Sequence, residues 1–331
     1  MKKLAIIGNP KAGNCDYHHW VNRGKLFIWG WPCDFFFPST AAQLTEACAK
    51  LDPATYEAVV VIGGDGTLNH AIRGLMKANP EDQVPLYVFP SGTANDLASE
   101  LGTTADWAQV QRLIHSKQME TIDLVEVNGH PFVTVAGIGL GASLTEEFNQ
   151  RRATSKTFRF LHETFQKKIY TTLSVRAIFQ NWGRERNIQV ESGIFNERIK
   201  TSAIFVCNQE RLGGDLVVAR EKVNVDQRLK VLIIPRTCGI PMLRALKSLK
   251  DGEIPDDFIS FYTKNLRLTD LTGENISVFG DGEILTKSPS LKFQSLPSRL
   301  RVYSHRPILP LPKSHLERLK IIPSRRPEAS L

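Results

Sequence analysis

The sequence predicts an α/β domain followed by a β-rich domain, with the boundary near residue 125. Three observations predict it. The 331 residues suit about two domains, at roughly 150 residues apiece. Before residue 125, short apolar runs alternate with helical patterns, the rhythm of a parallel sheet covered by helices. After it, short β runs follow one another between turns, as in a sandwich.

Taken in order, Leu4–Ile7 is a short strand ending at Gly8-Asn9-Pro10. Ala41–Leu51 reads as a helix capped by Ser39 or Thr40. Ala58–Ile62 is a buried strand stopped by Gly63-Gly64, and a helix follows over Asn69–Ala78. Leu86–Phe89 is another strand, stopped by Pro90-Ser91-Gly92. Leu124–Val133 reads as strand, tight turn, strand, and a basic helical segment covers about 145–180. The β runs Ile188–Ser192, Thr201–Cys207, Leu229–Ile234, Ile276–Phe279 and Leu291–Gln294 complete the second domain. Residues 306–331 read as an appended basic, Pro- and Arg-rich tail.

Hydrophobic residues make up 42% and charged residues 23%, which excludes a disordered chain, a collagen and a small disulfide scaffold. The net charge of +8 favours anionic partners: nucleotides, nucleic acid or an anionic membrane face. Half of that charge comes from the stretch after Ser304, so the rest is only mildly basic and no nucleic-acid partner is expected. The five cysteines are odd in number and lack C-x-x-C spacing, which fits reduced, buried thiols in a cytoplasm. No apolar run approaches the roughly 20 residues of a membrane helix, and the N-terminal run is too short for a signal peptide. The expectation is a cytoplasmic protein, soluble or peripheral to the inner face of a membrane.

The strongest local signal is Gly63-Gly64-Asp65-Gly66-Thr67-Leu68-Asn69, between a buried strand and a helix. Glycines let backbone approach phosphate oxygens, and a helix N-terminus offers free N–H groups and a positive dipole end. Asp65 could hold Mg²⁺ or order water there; the alternative is a tight turn with a local Asp cap. Pro90-Ser91-Gly92-Thr93-Ala94-Asn95-Asp96 repeats the logic after the next strand. Ligands of open parallel sheets bind at the carboxyl ends of strands, so these loops would share one site. Asn9-Pro10-Lys11-Ala12-Gly13 follows the first strand, but Asn14 and Cys15 stand where a Walker loop needs Lys and Ser or Thr.

With those three loops, Ile122-Asp123 and the late Asp281-Gly282-Glu283, the chain resembles the diacylglycerol kinase catalytic family, especially its soluble bacterial lipid kinases. The resemblance leaves only the tail uncovered. It implies an α/β nucleotide domain like that of NAD kinases and phosphofructokinases, at 1–125 with about 298–305, and a lipid-substrate β-sandwich at 126–297. It implies ATP and Mg²⁺, and transfer of the γ-phosphoryl group to a lipid hydroxyl, foremost that of diacylglycerol. A sphingoid base, ceramide, a soluble acceptor and a non-catalytic regulator are the alternatives. Nucleotide contacts would fall on Asn9, Pro10, Lys11, Ala12 and Gly13, on Thr40 or Ser39, on Gly63 through Asn69, and on Gly92, Thr93 and Asn95. Glu283 takes the family role of general base, with Asp281 and Asp65 supporting it; on spacing alone, Asp281-Gly282-Glu283 would be an exposed β-turn. Asp65, Asp96 and Asp123 would share a metal–water network, unless Asp96 and Asp123 merely cap helices and turns. Asp226 would hold a second, structural Mg²⁺, although Gln227 replaces the family's Gly and Arg228 adds positive charge. Relatives carry Glu where this chain has His70, which cannot replace a carboxylate at a metal or ribose.

Two weaker signals remain. Gly137-Ile138-Gly139-Leu140-Gly141-Ala142 superficially fits a dinucleotide fingerprint and reads better as a tight turn near the cleft. Arg151, Arg152, Lys156, Arg159, Lys167 and Lys168 share a stretch with four apolar residues, either a solvated face over a core stripe or a docking surface for anionic lipid.

Overall fold

The computed structural model describes residues 2–8, 30–92, 94–139, 185–212, 216–217, 224–235, 239–281 and 283–306. The first domain is a parallel sheet flanked by helices. Strand β1 (Lys3–Gly8) runs parallel to β2 (Cys33–Phe36). Helix α1 (Ala41–Ala49) leads to β3 (Tyr56–Gly63), which lies on the other side of β1. Helix α2 (Asp65–Leu75) leads to β4 (Leu86–Pro90), parallel to β3. Helices α3 (Asp96–Leu101) and α4 (Trp107–His115) then lead to β5 (Met119–Val127).

The continuous apolar runs follow from burial on both faces. Val59 and Val61 of β3 pack with α1, α2 and α3. Their neighbours Ala58, Val60 and Ile62 pack on Trp107, Val110 and Leu113 of α4. Burying each Val or Ile stabilises the fold by about 1.5–3 kcal/mol.

The second domain is antiparallel. A turn at Asn128 and Gly129, both at positive φ as a type I′ turn requires, joins β5 to β6 (His130–Phe132). Strands β7 (Val135–Gly139), β8 (Arg186–Ser192) and β9 (Asn196–Cys207) follow, with a short ribbon of β10 (Arg211–Leu212) and β11 (Leu216–Val217). Then come β12 (Leu229–Pro235), helix α5 (Gly239–Lys250), β13 (Ile259–Thr263), β14 (Asn265–Asp270), β15 (Ile276–Gly280), β16 (Glu283–Ser288) and β17 (Ser290–Tyr303). The sandwich closes over Ile138, Val190, Ile204, Val231, Leu268 and Phe293. Ala245 and Leu249 of α5 cover an outer face at Phe205, Leu232 and Phe279.

β17 joins the domains. Its first half pairs with β14, the stretch from Phe293 to Tyr303 with β5, and Val302 runs parallel to Leu86 of β4. A register shift between Leu296 and Leu300 bends it. The core changes over at the same level: Leu124 and Leu300 belong to the first domain's core, Val125 and Phe293 to the second's.

Several elements depart from the sequence reading. Helix α2 begins at Asp65, not Asn69, because the Gly64 carbonyl already accepts the Leu68 N–H at 3.0 Å. Gly137–Gly139 are strand rather than turn, and a Cβ on Gly137 would meet the Phe279 ring at 2.7 Å. Helix α5 has no counterpart in the reading. Arg306 is no part of a loose tail: its guanidinium sits 2.8 Å from Glu100 and 2.5 Å from Glu120. Cys48 and Cys207 are buried free thiols, both pushed up to about 12 by burial. The basic segment at 145–180, the tail beyond Arg306, and residues 140–142 lie outside the described residues. Among the described residues, no helix is long and apolar enough to cross a membrane.

Candidate active site

Because β3 and β4 are adjacent and parallel, with Gly63 opposite Pro90, the loops that leave them abut. The Ser91 N–H donates to the Gly63 carbonyl at 3.0 Å. A Cβ on Gly92 would lie 2.5 Å from the Gly64 Cα, so glycine is what permits this approach. Asn95 stands at φ 51 and folds the second loop on itself: its Oδ1 accepts the Gly92 N–H at 2.9 Å and its Nδ2 donates to the Gly92 carbonyl at 2.8 Å.

Asp65 stitches one loop to the other. Its carboxylate accepts the N–H groups of Asn95 at 3.1 Å and Asp96 at 3.0 Å, the second opening α3. Burial pushes its carboxyl up to about 7, and the charges of Asp96 and Asp281 add to that against the two N–H donors. Three of the predicted carboxylates, Asp65, Asp96 and Asp281, are therefore near enough for the last two to act on the charge of the first.

Asp281 and Glu283 come from the turn between β15 and β16. Asp281 is 4% exposed, so the turn is not the solvent-facing one that spacing alone suggested. Its carboxylate accepts the Asn69 Nδ2 of α2 at 2.6 Å, the Val133 and Thr134 N–H groups at 3.0 and 2.9 Å, and the Thr134 hydroxyl at 2.5 Å. It thus fastens the second domain to the helix that opens at the glycine loop. Burial still pushes its carboxyl up. Glu283 is more open, its side chain 41% exposed, with Oε2 3.4 Å from the His70 Nε2 of α2. Its Oε1 is the near neighbour of Gly66. His70 holds its carboxyl below the ordinary range, and the Arg73 charge helps, against burial.

Beside this turn, an open groove of about 680 Å³ runs along the packed pair α1 and α2, edged by Thr45, Glu46, Lys50, His70, Arg73 and Lys77. Thr40 stands at the head of α1, where its hydroxyl oxygen accepts the Gln43 N–H at 3.2 Å. Ser39 does not cap α1; its hydroxyl and N–H both donate to the Gln43 side chain. Asn9–Gly13, Thr93 and Gly282 lie outside the described residues.

Asp123 and Asp226 form a different cluster. Asp123 is buried in mid-strand and caps no helix. Its carboxylate accepts the Gln227 N–H at 2.6 Å and the Ser298 N–H at 2.7 Å, pinning the bend of β17. Gln227 takes φ 62, the left-handed conformation glycine would adopt freely. The Arg228 guanidinium closes on one Asp226 oxygen, with Nε and Nη2 at 3.1 and 2.9 Å, while its N–H reaches the other at 3.0 Å. Arg228 also lies over the Tyr262 ring, 4.9 Å from its centre.

The sequence reading missed Val133 and Thr134, which carry no motif. It also missed Arg73, although helical spacing sets it three residues beyond His70 on the same face.

The diacylglycerol kinase catalytic domain matches residues 3–127, and the YegS C-terminal NAD kinase beta sandwich-like domain matches residues 139–304. The chain belongs to the diacylglycerol kinase family. A relative named diacylglycerol kinase, from Bacillus subtilis (strain 168), is 25% identical over 86% of this chain and 90% of its own. A Shewanella frigidimarina protein named "Probable lipid kinase YegS-like" is 28% identical over 60% of this chain and 57% of its own. A crystal structure titled as a diacylglycerol kinase from Bacillus anthracis superposes with TM-score 0.67 at 18% identity, covering 93% of this chain and 98% of that one, and shares the fold.

Membership in a kinase family carries ATP as phosphoryl donor and typically a divalent metal. The residues of this kinase fit a phosphate-bearing ligand at the glycine loops. The buried Asn69 Oδ1 and Ser91 Oγ lack hydrogen-bond partners there among the described residues. Asp65 and Asp96 supply hard oxygen donors suited to Mg²⁺. The Asp226 cluster does not fit a second metal, because the Arg228 guanidinium already occupies the carboxylate an ion would need.

Proposed function

We propose that this kinase transfers the γ-phosphoryl group of ATP to the hydroxyl of a membrane lipid, foremost diacylglycerol. The observation that carries the reading is Glu283, half-exposed over Gly66 where the glycine loop opens α2. A primary alcohol is a weak nucleophile, and a carboxylate within reach can take its proton as phosphorus is attacked. Glu283, kept ionised by His70, takes that proton as the acceptor oxygen bonds to the γ-phosphorus and the bond to the β-phosphate oxygen breaks.

The backbone amides of Gly64–Thr67 and the head of α2 meet the phosphates, and the self-bonded Gly92–Asn95 turn packs beside them. Thr40 and the groove along α1 and α2 receive the nucleoside end. Mg²⁺, when bound at Asp65 and Asp96, would offset the negative charge of the transferring group. Asp281 holds the second domain against α2 and so keeps Glu283 in register with the loop. Peripheral contact with an anionic membrane would bring the enzyme to its substrate.

The test is transfer of label from ATP to diacylglycerol, monoacylglycerol, ceramide and sphingosine in mixed micelles, with NAD as the soluble control. Labelled diacylglycerol product is expected, and label on NAD alone would refute the lipid reading. Glu283→Gln is expected to lower kcat by about 10²–10⁴-fold with little change in ATP affinity.

A further inference from the structure

Asn69 and His70 are consecutive on α2, and each faces a different residue of one turn in the second domain. Asn69 donates to Asp281 at 2.6 Å, and His70 approaches Glu283 at 3.4 Å. The helix is itself braced at this point, because the Thr45 hydroxyl of α1 donates to the His70 carbonyl at 3.0 Å. The two Glu283 oxygens have different neighbours: Oε2 faces the imidazole, and Oε1 faces Gly66. An exposed Glu side chain has several rotamers, and one contact that holds a single oxygen removes most of that freedom.

We propose that His70 is the positioning residue for Glu283. Its Nε2–H holds one carboxylate oxygen, so that the other is presented over the glycine loop to the acceptor hydroxyl. The inference rests on Glu283 being the base. A neutral imidazole suffices, since only one N–H is needed and no proton is transferred to His70.

The experiment compares kcat and KM for ATP in wild type, His70→Ala, His70→Gln, Glu283→Gln and the His70→Ala/Glu283→Gln double variant, using diacylglycerol micelles. His70→Ala is expected to lower kcat by about 10–100-fold with KM for ATP within about twofold. His70→Gln, which keeps an N–H donor, is expected to recover most of the loss. In the Glu283→Gln background, removal of the imidazole is expected to cost nothing further.

A raised KM for ATP with kcat intact would make His70 a nucleotide contact and overturn the proposal. So would additive losses in the double variant. Full turnover in Glu283→Gln would overturn the base assignment, a distinct failure. Where no lipid is labelled, the imidazole resonances of His70 by NMR decide the pairing. They are expected to move in Glu283→Gln, and unmoved resonances would overturn the contact.

Discussion

Among single residues, Asp65 costs the fold stability as pH rises. Its folded carboxyl titrates at about 7, against an ordinary value of 3.8. The folded state therefore holds a proton that the unfolded chain has released between those values, so stability falls as pH rises through that window. Asp65→Asn carries no charge to bury, and its advantage over wild type should grow from near zero at pH 4 to about 1–4 kcal/mol at pH 8. Melting temperatures of both proteins, without nucleotide or metal, check this; parallel curves would refute it. The variant should also lose kinase turnover, so stability and activity part company at this residue. Asp65 was legible in the sequence because three glycines announce it. The burial of Asp281 was not, because its partners Asn69, Val133 and Thr134 lie far from it along the chain.

Elements were readable where a local rule acts alone. The Asn128-Gly129 hairpin and the buried run of β3 need no knowledge of the rest of the chain. Helix α2 was read four residues late because glycines argue against helix by propensity, while here they provide the extended cap that starts it. The turn joining Asn224 to Arg228 was read as a weakened metal loop; in the fold it carries its own cation. Arg228→Ala would leave Asp123 and Asp226 buried together without that charge, at a cost of about 1–3 kcal/mol. Without nucleotide, EDTA should leave the wild-type melting temperature unchanged, whereas added Mg²⁺ should raise that of Arg228→Ala. A wild-type protein that melts earlier in EDTA would count against an arginine in the role of the ion.

At the scale of the whole molecule, the two domains share β5 and β17, so neither core can open without breaking strands of the other. Heat unfolding should therefore be one transition, with Trp fluorescence and far-UV circular dichroism coinciding. Two separated transitions would show the sheet parting at the bend near Ser298. The two-domain division was legible because the hydrophobic rhythm changes near residue 125; the return of about 298–305 to the first domain was implied only by the resemblance, because a short run such as Leu300–Tyr303 does not itself say which strand it will join. That sharing has a consequence for how the protein is made. The strand that covers β4 is among the last of the folded body to leave the ribosome, more than two hundred residues after β4 itself. At about 5–20 residues per second, the nascent nucleotide-binding sheet waits roughly 10–40 s with one flank uncovered. During translation that flank is an open edge for neighbouring chains, and a chaperone that shields it would raise the yield of folded enzyme without touching the finished protein.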